Sequence, residues 1–284
     1  MNSKLSKRIP LTYERLAEPS RNFNVLNKTT VIDPKDGREK LVLSNFAAGA
    51  LGNIVLIDTE TGEGESVPLP ADNGAWALHN WNDEKLIVGT CAQYAYLHVL
   101  DLKTRKWAEP LRDGKETYFW NFTQGSDGMI YGGTYPGCVL LRYDPNRHVL
   151  ENLGRASTNP KNLYSRTVYG DLPGYIIVSC GFEAPSLSAW DIEAERFIEF
   201  GERGKVGEIV DINAKYICVK ADEEYFYYDS STFELVENPS LPQDWTPTKR
   251  SSNVTLQDGR IAGVKGQNYF ILNRPGDSPK YERI

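Results

Sequence analysis

A recurring aspartate, spaced by about forty residues, most constrains the fold of this 284-residue chain. It follows a short apolar segment five times, and an asparagine takes its place the sixth time: Asp58, Asp101, Asp144, Asp191, Asp229 and Asn273. The successive gaps are 43, 43, 47, 38 and 44 residues. A period of this length indicates one supersecondary unit that is repeated along the chain and buries its core against its neighbours.

Each repeat carries the same internal order of short strands. In the second repeat, Trp76-Ala-Leu-His-Asn precedes Leu86-Ile-Val-Gly-Thr, and Leu97-His-Val-Leu100 then leads to Asp101 and a polar turn before Trp107. An aspartate at that point can accept hydrogen bonds from backbone amides of the turn, which explains its recurrence. Four short strands in a unit of forty to forty-five residues are typical of a β-propeller blade.

The fold class predicted is therefore all-β: a propeller of four-stranded antiparallel blades, six of them visible, in a six- or seven-bladed ring. The predicted blades cover approximately 22–70, 71–112, 113–156, 157–203, 204–242 and 243–284. In the six-bladed alternative, the N-terminal extension 1–21 packs across the seam of the ring. In the seven-bladed alternative, the chain is part of a longer polypeptide. No linker rich in Pro, Gly or Ser divides it, so one domain is expected.

Charge and hydropathy exclude several classes of partner. The net charge is −6 with interspersed signs, which excludes nucleic acid because phosphate binding requires a basic face. No run reaches membrane-spanning length and no segment resembles a signal peptide, so we expect a cytoplasmic protein without membrane contact.

The cysteines carry no motif for a metal or a redox site. Cys91, Cys138, Cys180 and Cys218 lie far apart without a CxxC pair. Three of them, Cys91, Cys180 and Cys218, fall at similar places in their repeats, so a disulfide or thiol site stays an alternative to buried free thiols.

One face of a propeller collects the candidate functional residues. The connections that enter the innermost strands and those between the second and third strands emerge on that face, around the central channel. Aromatic rings beside amides and arginine suit a sugar ligand, because flat apolar faces pack on the ring and forked donors bind hydroxyls and carboxylates. The predicted substrate-binding residues are Trp76, Tyr94, Trp120, Gln124, Tyr164 and Glu183.

An elimination reaction on a uronic-acid sugar would need a base, a cation for the developing enolate and an acid. Arg166 is the candidate for the cation, and His79 or a tyrosine (Tyr94, Tyr135 or Tyr164) is the candidate for the base or the acid. The predicted catalytic set is His79, Tyr135 and Arg166. His79 is the one histidine of the chain on an innermost strand, since His98 falls in a third strand and His148 in an outer turn. The alternative is that His79 is a hydrogen-bonded core residue and the aromatic side chains pack between blades.

The run Gly133-Thr-Tyr-Pro-Gly137 followed by Leu141-Arg-Tyr-Asp144 resembles the blade signature of bacterial propellers. Such blades occur in virginiamycin B lyase-like proteins, in propeller-type carbohydrate lyases and in the sensor propellers of two-component regulators. The resemblance covers the six repeats but concerns blade geometry. Metal-dependent oligogalacturonate lyases of this type use clustered histidines, which three scattered histidines do not reproduce, so no metal and no cofactor are expected.

Two functional hypotheses follow from these observations. The first is a carbohydrate-directed propeller, a lyase or hydrolase that acts on an acidic oligosaccharide at the channel mouth. The second is a non-catalytic propeller that senses a ligand or presents its face to a protein or to a downstream domain of a longer chain.

Overall fold

A computed structural model describes residues 24–181, 185–241, 247 and 252–284. All regular secondary structure in these ranges is β-strand, which confirms the all-β prediction. None of the described segments is a helix long and apolar enough to span a membrane. The predicted N-terminal extension lies outside the described residues.

The strands follow one another as antiparallel sheets that we call blades. The first three blades contain β1 (Asn24–Ile32), β2 (Glu39–Phe46), β3 (Asn53–Asp58), β4 (Gly64–Pro68); β5 (Gly74–Trp81), β6 (Lys85–Cys91), β7 (Leu97–Asp101); β8 (Tyr118–Gln124), β9 (Ile130–Tyr135), β10 (Val139–Asp144) and β11 (Val149–Arg155). Single residue pairs, Phe46 with Gly74 and Cys91 with Tyr118, join these three blades into one continuous sheet.

The remaining strands form three further blades. They contain β12 (Ser165–Tyr169), β13 (Tyr175–Cys180), β14 (Ser186–Asp191), β15 (Arg196–Phe200); β16 (Glu208–Ile212), β17 (Tyr216–Ala221), β18 (Glu224–Asp229); and β19 (Val254–Thr255), β20 (Ile261–Lys265), β21 (Asn268–Leu272) and β22 (Glu282–Arg283). We call the first strand of each blade its inner strand.

Two blades depart from the predicted four strands. In the second blade the outer edge is reduced to isolated pairs, Leu100 with Trp107 and Leu97 with Leu111. In the fifth blade it is reduced to the pair of Tyr228 with Leu235. The chain after Asp101 and Asp229 still turns back along the third strand, but it does not keep a regular ladder there.

Hydrophobic clusters between neighbouring blades form the core. Val42 of the first blade and Leu86 of the second belong to one fully buried cluster, and Ile177 of the fourth blade and Ile217 of the fifth belong to another. Leu43 of the first blade shares a cluster with Leu256 and Ala262 of the sixth. The last blade therefore packs against the first, which favours the six-bladed alternative.

The recurring aspartates cap the turn after each third strand, as the sequence predicts. Oδ1 of Asp58 accepts hydrogen bonds from the amides of Glu60 and Thr61, both at 2.9 Å. Four other aspartates accept the equivalent hydrogen bond from the backbone amide three residues later. The distances are 2.7 Å for Asp101, 3.1 Å for Asp144, 2.9 Å for Asp191 and 3.0 Å for Asp229. The period of the sequence is therefore the period of these turns.

All four cysteines are buried free thiols. Cys91 and Cys180 each end the second strand of their blade, whereas Cys218 lies within β17, so only two of the three predicted positions are equivalent. Cys138 and Cys180 belong to the cluster between the third and fourth blades, where they contribute small apolar side chains.

Candidate functional site

A β-bulge occurs at the equivalent position of five inner strands. In β5 the pairing with β6 moves from Ala75 to Ala77, which leaves Trp76 as the extra residue. The residues left over in the other four strands are Leu26, Trp120, Arg166 and Val210. A bulge rotates one side chain out of the regular alternation, and bulges are common where a strand must aim a side chain.

The five bulge residues fall into two chemical groups. The second, third and fourth blades supply Trp76, Trp120 and Arg166, whereas the first and fifth supply the aliphatic Leu26 and Val210. Among these five bulge residues, the groups that can recognise a polar ligand therefore come from three consecutive blades.

Aromatic rings from these three blades contact one another at this position. The Trp76 and Trp120 ring centroids are 5.9 Å apart, and Tyr118 stacks on Trp120 at 5.2 Å with an interplanar angle of 17°. Tyr135 and Tyr164 stack at 4.7 Å, and each contacts a ring of the third blade's inner strand, at 5.7 and 5.6 Å. We call these five residues the aromatic cluster. All five side chains are half-buried.

Arg166 is the cation of the cluster. Its guanidinium carbon lies 5.2 Å from the centroid of the Trp120 ring, within the range of a cation–π interaction. The side chain is exposed, and within the described residues it has no ion pair and no hydrogen bond. Its forked N–H donors are therefore available to a ligand and suit a carboxylate.

Two further polar groups of the cluster affect its chemistry. The indole N–H of Trp120 is buried without a hydrogen-bond partner among the described residues. A buried donor without an acceptor lowers the stability of the folded protein. Burial raises the pKa of Tyr118, and the neighbouring Cys91, Tyr135 and Tyr164 raise it further. The phenol of Tyr118 therefore stays protonated at neutral pH and acts as a hydrogen-bond donor.

Asparagine side chains hold the bulged strands together across the blades. Nδ2 of Asn27 donates to the carbonyl of Trp76 at 2.6 Å. Asn121 donates to the carbonyl of Val168 at 2.9 Å and accepts from its amide at 3.0 Å. Each asparagine directly follows a bulge residue, so the bulge and the hydrogen bonds that join neighbouring blades occur at the same place in the strand.

Arg155 fixes the two loops that carry Tyr135 and Tyr164. Its guanidinium donates to the carbonyl of Gly137 at 2.7 Å, and to three carbonyls of the loop before Tyr164: Ser157 at 3.0 Å, Asn159 at 2.7 Å and Asn162 at 2.6 Å. One side chain therefore sets the relative position of the two stacked tyrosines.

The structure brings together five of the predicted site residues: Trp76, Trp120, Tyr135, Tyr164 and Arg166. Tyr118 belongs to the same cluster but is absent from the sequence-based set. Its signal is the run Tyr118-Phe-Trp120, three consecutive aromatic residues at the start of an inner strand.

Four predicted residues lie elsewhere or are not described. His79 is on β5, three residues beyond Trp76 or about 10 Å along the strand, and burial lowers its pKa. Gln124 ends β8 at the opposite end from the aromatic cluster, where its amide reaches the carbonyl of Gly128 at 3.5 Å. Tyr94 lies in the β6–β7 loop, in contact with Tyr96 and Arg112. Glu183 is outside the described residues.

Other parts of the described surface offer weaker sites. A cleft of about 230 Å³ at the seam of the first and sixth blades is lined by Arg260, Glu60 and neighbouring residues. Its arginine is already paired with Glu60 and Asp258. Within the described ranges, no three His, Cys, Asp or Glu residues are grouped so that they could hold a metal ion.

Comparisons with known proteins support the architecture. No family model and no curated protein matches the chain. Virginiamycin B lyase from Staphylococcus aureus superposes with a TM-score of 0.58 at 14% identity, over 93% of this chain and 85% of the lyase. The extracellular domain of a candidate one-component system from B. thetaiotaomicron gives a TM-score of 0.56 at 14% identity. That match covers 88% of this chain and 33% of the other, so this chain spans a third of that protein's length.

A third similar structure comes from a different group of repeats. The WD40 repeats of RRP9 superpose with a TM-score of 0.53 at 11% identity, over 89% of this chain and 77% of theirs. The consecutive antiparallel blades and these structures together identify the fold as a β-propeller. At such identities the similarity concerns the fold alone.

Proposed function

We propose that the channel mouth of this propeller binds an anionic carbohydrate. The observation that carries the proposal is Arg166: an exposed guanidinium, held on the Trp120 ring within an aromatic cluster, without an ion-pair partner in the described part of the chain. A cation that is positioned by an aromatic ring but not neutralised fits a ligand that brings its own negative charge.

The rest of the aromatic cluster supplies what a sugar ring requires. Half-buried tryptophan and tyrosine rings present apolar faces beside polar edges, and they are already packed against one another before a ligand arrives. Preorganised side chains lose little conformational entropy on binding. The protonated Tyr118 phenol adds a donor for hydroxyl oxygens.

Among carbohydrate-directed functions, binding agrees better with this chemistry than elimination. The base of an elimination needs a pKa near the working pH, whereas burial and neighbouring groups raise the pKa of Tyr118. Burial lowers the pKa of His79, which weakens its imidazole as a base, and His79 is three residues along β5 from Trp76. Catalysis by His79, Tyr135 and Arg166 therefore remains a second candidate.

Isothermal titration with D-galacturonate and with neutral D-galactose tests the proposal. We expect the wild-type protein to prefer galacturonate, and Arg166→Gln to lose about tenfold in affinity or more, as for one charge-assisted hydrogen-bonded contact. Arg147→Gln is the matched control, because Arg147 is exposed in the turn after Asp144, on the opposite face of the propeller. Equal affinity for both sugars, or an unchanged Arg166→Gln variant, would contradict the proposal.

The same preparations separate binding from catalysis. Elimination of an oligogalacturonate produces an unsaturated uronide, which is followed by its ultraviolet absorbance. A binding protein leaves the absorbance constant. A rise that depends on His79 and Arg166 but not on Arg147 would assign the second candidate instead.

A further inference from the structure

A second aromatic–arginine platform lies on the same face, in the second blade. Arg112 places its guanidinium carbon 5.2 Å from the Tyr94 ring centroid and 5.6 Å from that of Tyr96. The two tyrosine rings are 5.8 Å apart. Arg112 is exposed, and 48% of the Tyr94 surface is accessible. We call these three residues the outer platform.

Backbone pairing fixes the outer platform in place. Leu97 and Leu111 exchange two backbone hydrogen bonds, of 2.7 and 3.0 Å, which brings Arg112 beside Tyr96. The loop from Ala92 to Tyr96 is closed by Thr90, whose amide donates to the Tyr96 carbonyl at 2.9 Å and whose hydroxyl accepts from the Tyr96 amide at 2.8 Å. These backbone hydrogen bonds therefore hold Arg112 and Tyr96 in fixed relative positions.

The loop also carries unusual backbone conformations. Ala92 has φ = 91° and Ala95 has φ = 28°, values that residues with a side chain rarely adopt. Such conformations persist where the surrounding structure holds them, and they are frequent at binding sites. Here they surround Tyr94, which is among the most exposed large hydrophobic side chains of the described residues.

Arg112, like Arg166, lacks a carboxylate partner at ion-pair distance within the described ranges. The buried Asp72 is affected by Arg112: burial raises the pKa of Asp72, and Arg112 lowers it to a smaller extent. The Asp72 carboxylate is engaged with the hydroxyl of Thr90. The N–H donors of Arg112 are left for an anion from solvent.

The outer platform is close to the aromatic cluster along the chain. Cys91 pairs with Tyr118 of the cluster, and Tyr94 follows Cys91 by three residues. Three residues span at most about 11 Å. Two cations, each supported by aromatic rings, thus lie on one face at neighbouring positions.

We infer that the outer platform is a second anion subsite, so that the ligand is an oligosaccharide with carboxylates on more than one sugar. This inference rests on the proposed function, because Arg166 supplies the first subsite. A linked ligand that reaches both arginines gains affinity over its monomer, since its second contact is intramolecular.

Titrations with D-galacturonate and its linear di-, tri- and tetramers test the inference. In the wild-type protein we expect affinity to rise at least tenfold over the series. In Arg112→Gln the oligomers should bind no better than the monomer, whose affinity is unchanged. Tyr94→Leu should reduce the gain, and Arg147→Gln should preserve it.

The outcomes distinguish the inference from the proposed function. A wild-type affinity that does not rise with chain length, or a rise that survives in Arg112→Gln, overturns the outer platform while Arg166-dependent binding of the monomer stands. If the monomer binds independently of Arg166, the proposed function fails first. Unchanged far-ultraviolet circular dichroism of Arg112→Gln confirms that the exposed substitution leaves the fold intact.

Discussion

The guanidinium of Arg166 lies over the indole ring of Trp120, at 5.2 Å, although the two residues belong to different blades. Each is the extra residue of a β-bulge in its inner strand. Without the bulges, both side chains would follow the alternation of their strands toward the packed faces between blades. The contact therefore depends on two coordinated irregularities in otherwise regular sheets.

Arg155 is expected to act as a positioning residue for the candidate site. Substitution by Met removes the donor from four carbonyls, those of Gly137, Ser157, Asn159 and Asn162. We expect the free energy of unfolding to fall by about 2 kcal/mol and the affinity for galacturonate to fall several-fold. Urea unfolding and titration measure the two effects.

Arg155→Lys provides the comparison for this prediction. Lysine keeps the charge but cannot supply the planar fork of donors, so partial recovery is expected. If Arg155→Met binds galacturonate as tightly as the wild-type protein while folded, the loop does not depend on Arg155 for its position.

Much of the fold is predictable from the sequence because its signals are local and repeated. The aspartates cap the turns predicted for them, and segments such as Leu86 to Thr90 form the second strands. The outer edges of the second and fifth blades were less predictable. Whether a short polar segment after Asp101 or Asp229 forms a regular ladder depends on its neighbours more than on its own residues.

The candidate site is predictable only in part. Trp76, Trp120 and Arg166 were found because they stand near the start of inner strands, but the bulge that aims them leaves no mark in a single sequence. Its amide chemistry alone groups Gln124 with them, although four residues of strand carry it to the other end of β8. Contacts between rings of different blades, such as Tyr118 with Tyr135, require the register of the sheet.

His98 is expected to make the protein sensitive to mild acid. The imidazole is fully buried between Tyr96 and Trp107, and this burial lowers its pKa to about 4. The unfolded chain binds a proton near pH 6.5, whereas the folded protein does not until about pH 4. Stability present above pH 6.5 is therefore lost as the pH falls toward 4, by about 3 kcal/mol in total.

Urea unfolding of the wild-type protein and of His98→Leu between pH 7 and pH 4.5 measures this contribution. The variant should lose less stability over the interval. Val99→Ala, a cavity substitution in the same strand, should lower stability by a similar amount at each pH and keep the wild-type slope. Parallel curves for the wild-type protein and His98→Leu would exclude His98 as the source.

The buried ion pair of Lys40 with Asp58 is expected to contribute far more to the free energy of unfolding than the exposed ion pair of Lys35 with Glu65. The Lys40 ammonium is 2.6 Å from the Asp58 carboxylate, and their side chains are 10% and 4% exposed. Burial alone would raise the pKa of Asp58, but hydrogen bonds from Lys40 and from the turn amides hold it well below its usual value. Lys40→Met should cost about 3 kcal/mol because it removes the nearer and more buried of the two cations, Lys40 and Arg38, that pair with the buried Asp58 carboxylate.

Lys35→Met is the matched control for this pair. Lys35 lies 3.3 Å from Glu65, with side chains 41% and 43% exposed, so its loss should cost less than about 1 kcal/mol.

The lowered pKa of Asp58 also gives stability that is present above its unfolded pKa near 4 and is lost below it. Lys40→Met should therefore lose less stability than the wild-type protein when the pH falls from 5 to 3. Equal costs for the two lysines would refute the prediction.

Gly133 is expected to set the close approach of the third and fourth blades beneath the candidate site. A Cβ atom at this position would lie 2.0 Å from the backbone carbonyl oxygen of Ser165, which stands between Tyr164 and Arg166 in the sequence. Ser165 also accepts from the Thr134 amide at 2.6 Å through its hydroxyl, so the backbone there has little room to move. Gly133→Ala should lower the free energy of unfolding by about 3 kcal/mol. It should also weaken galacturonate binding, because the displaced strand carries Arg166.

Gly64→Ala is the control, since its Cβ would meet only the Leu56 carbonyl oxygen, at 3.8 Å. Urea unfolding and titration of both variants measure the effects, and a Gly133→Ala protein as stable as Gly64→Ala would show that the two blades can separate without cost.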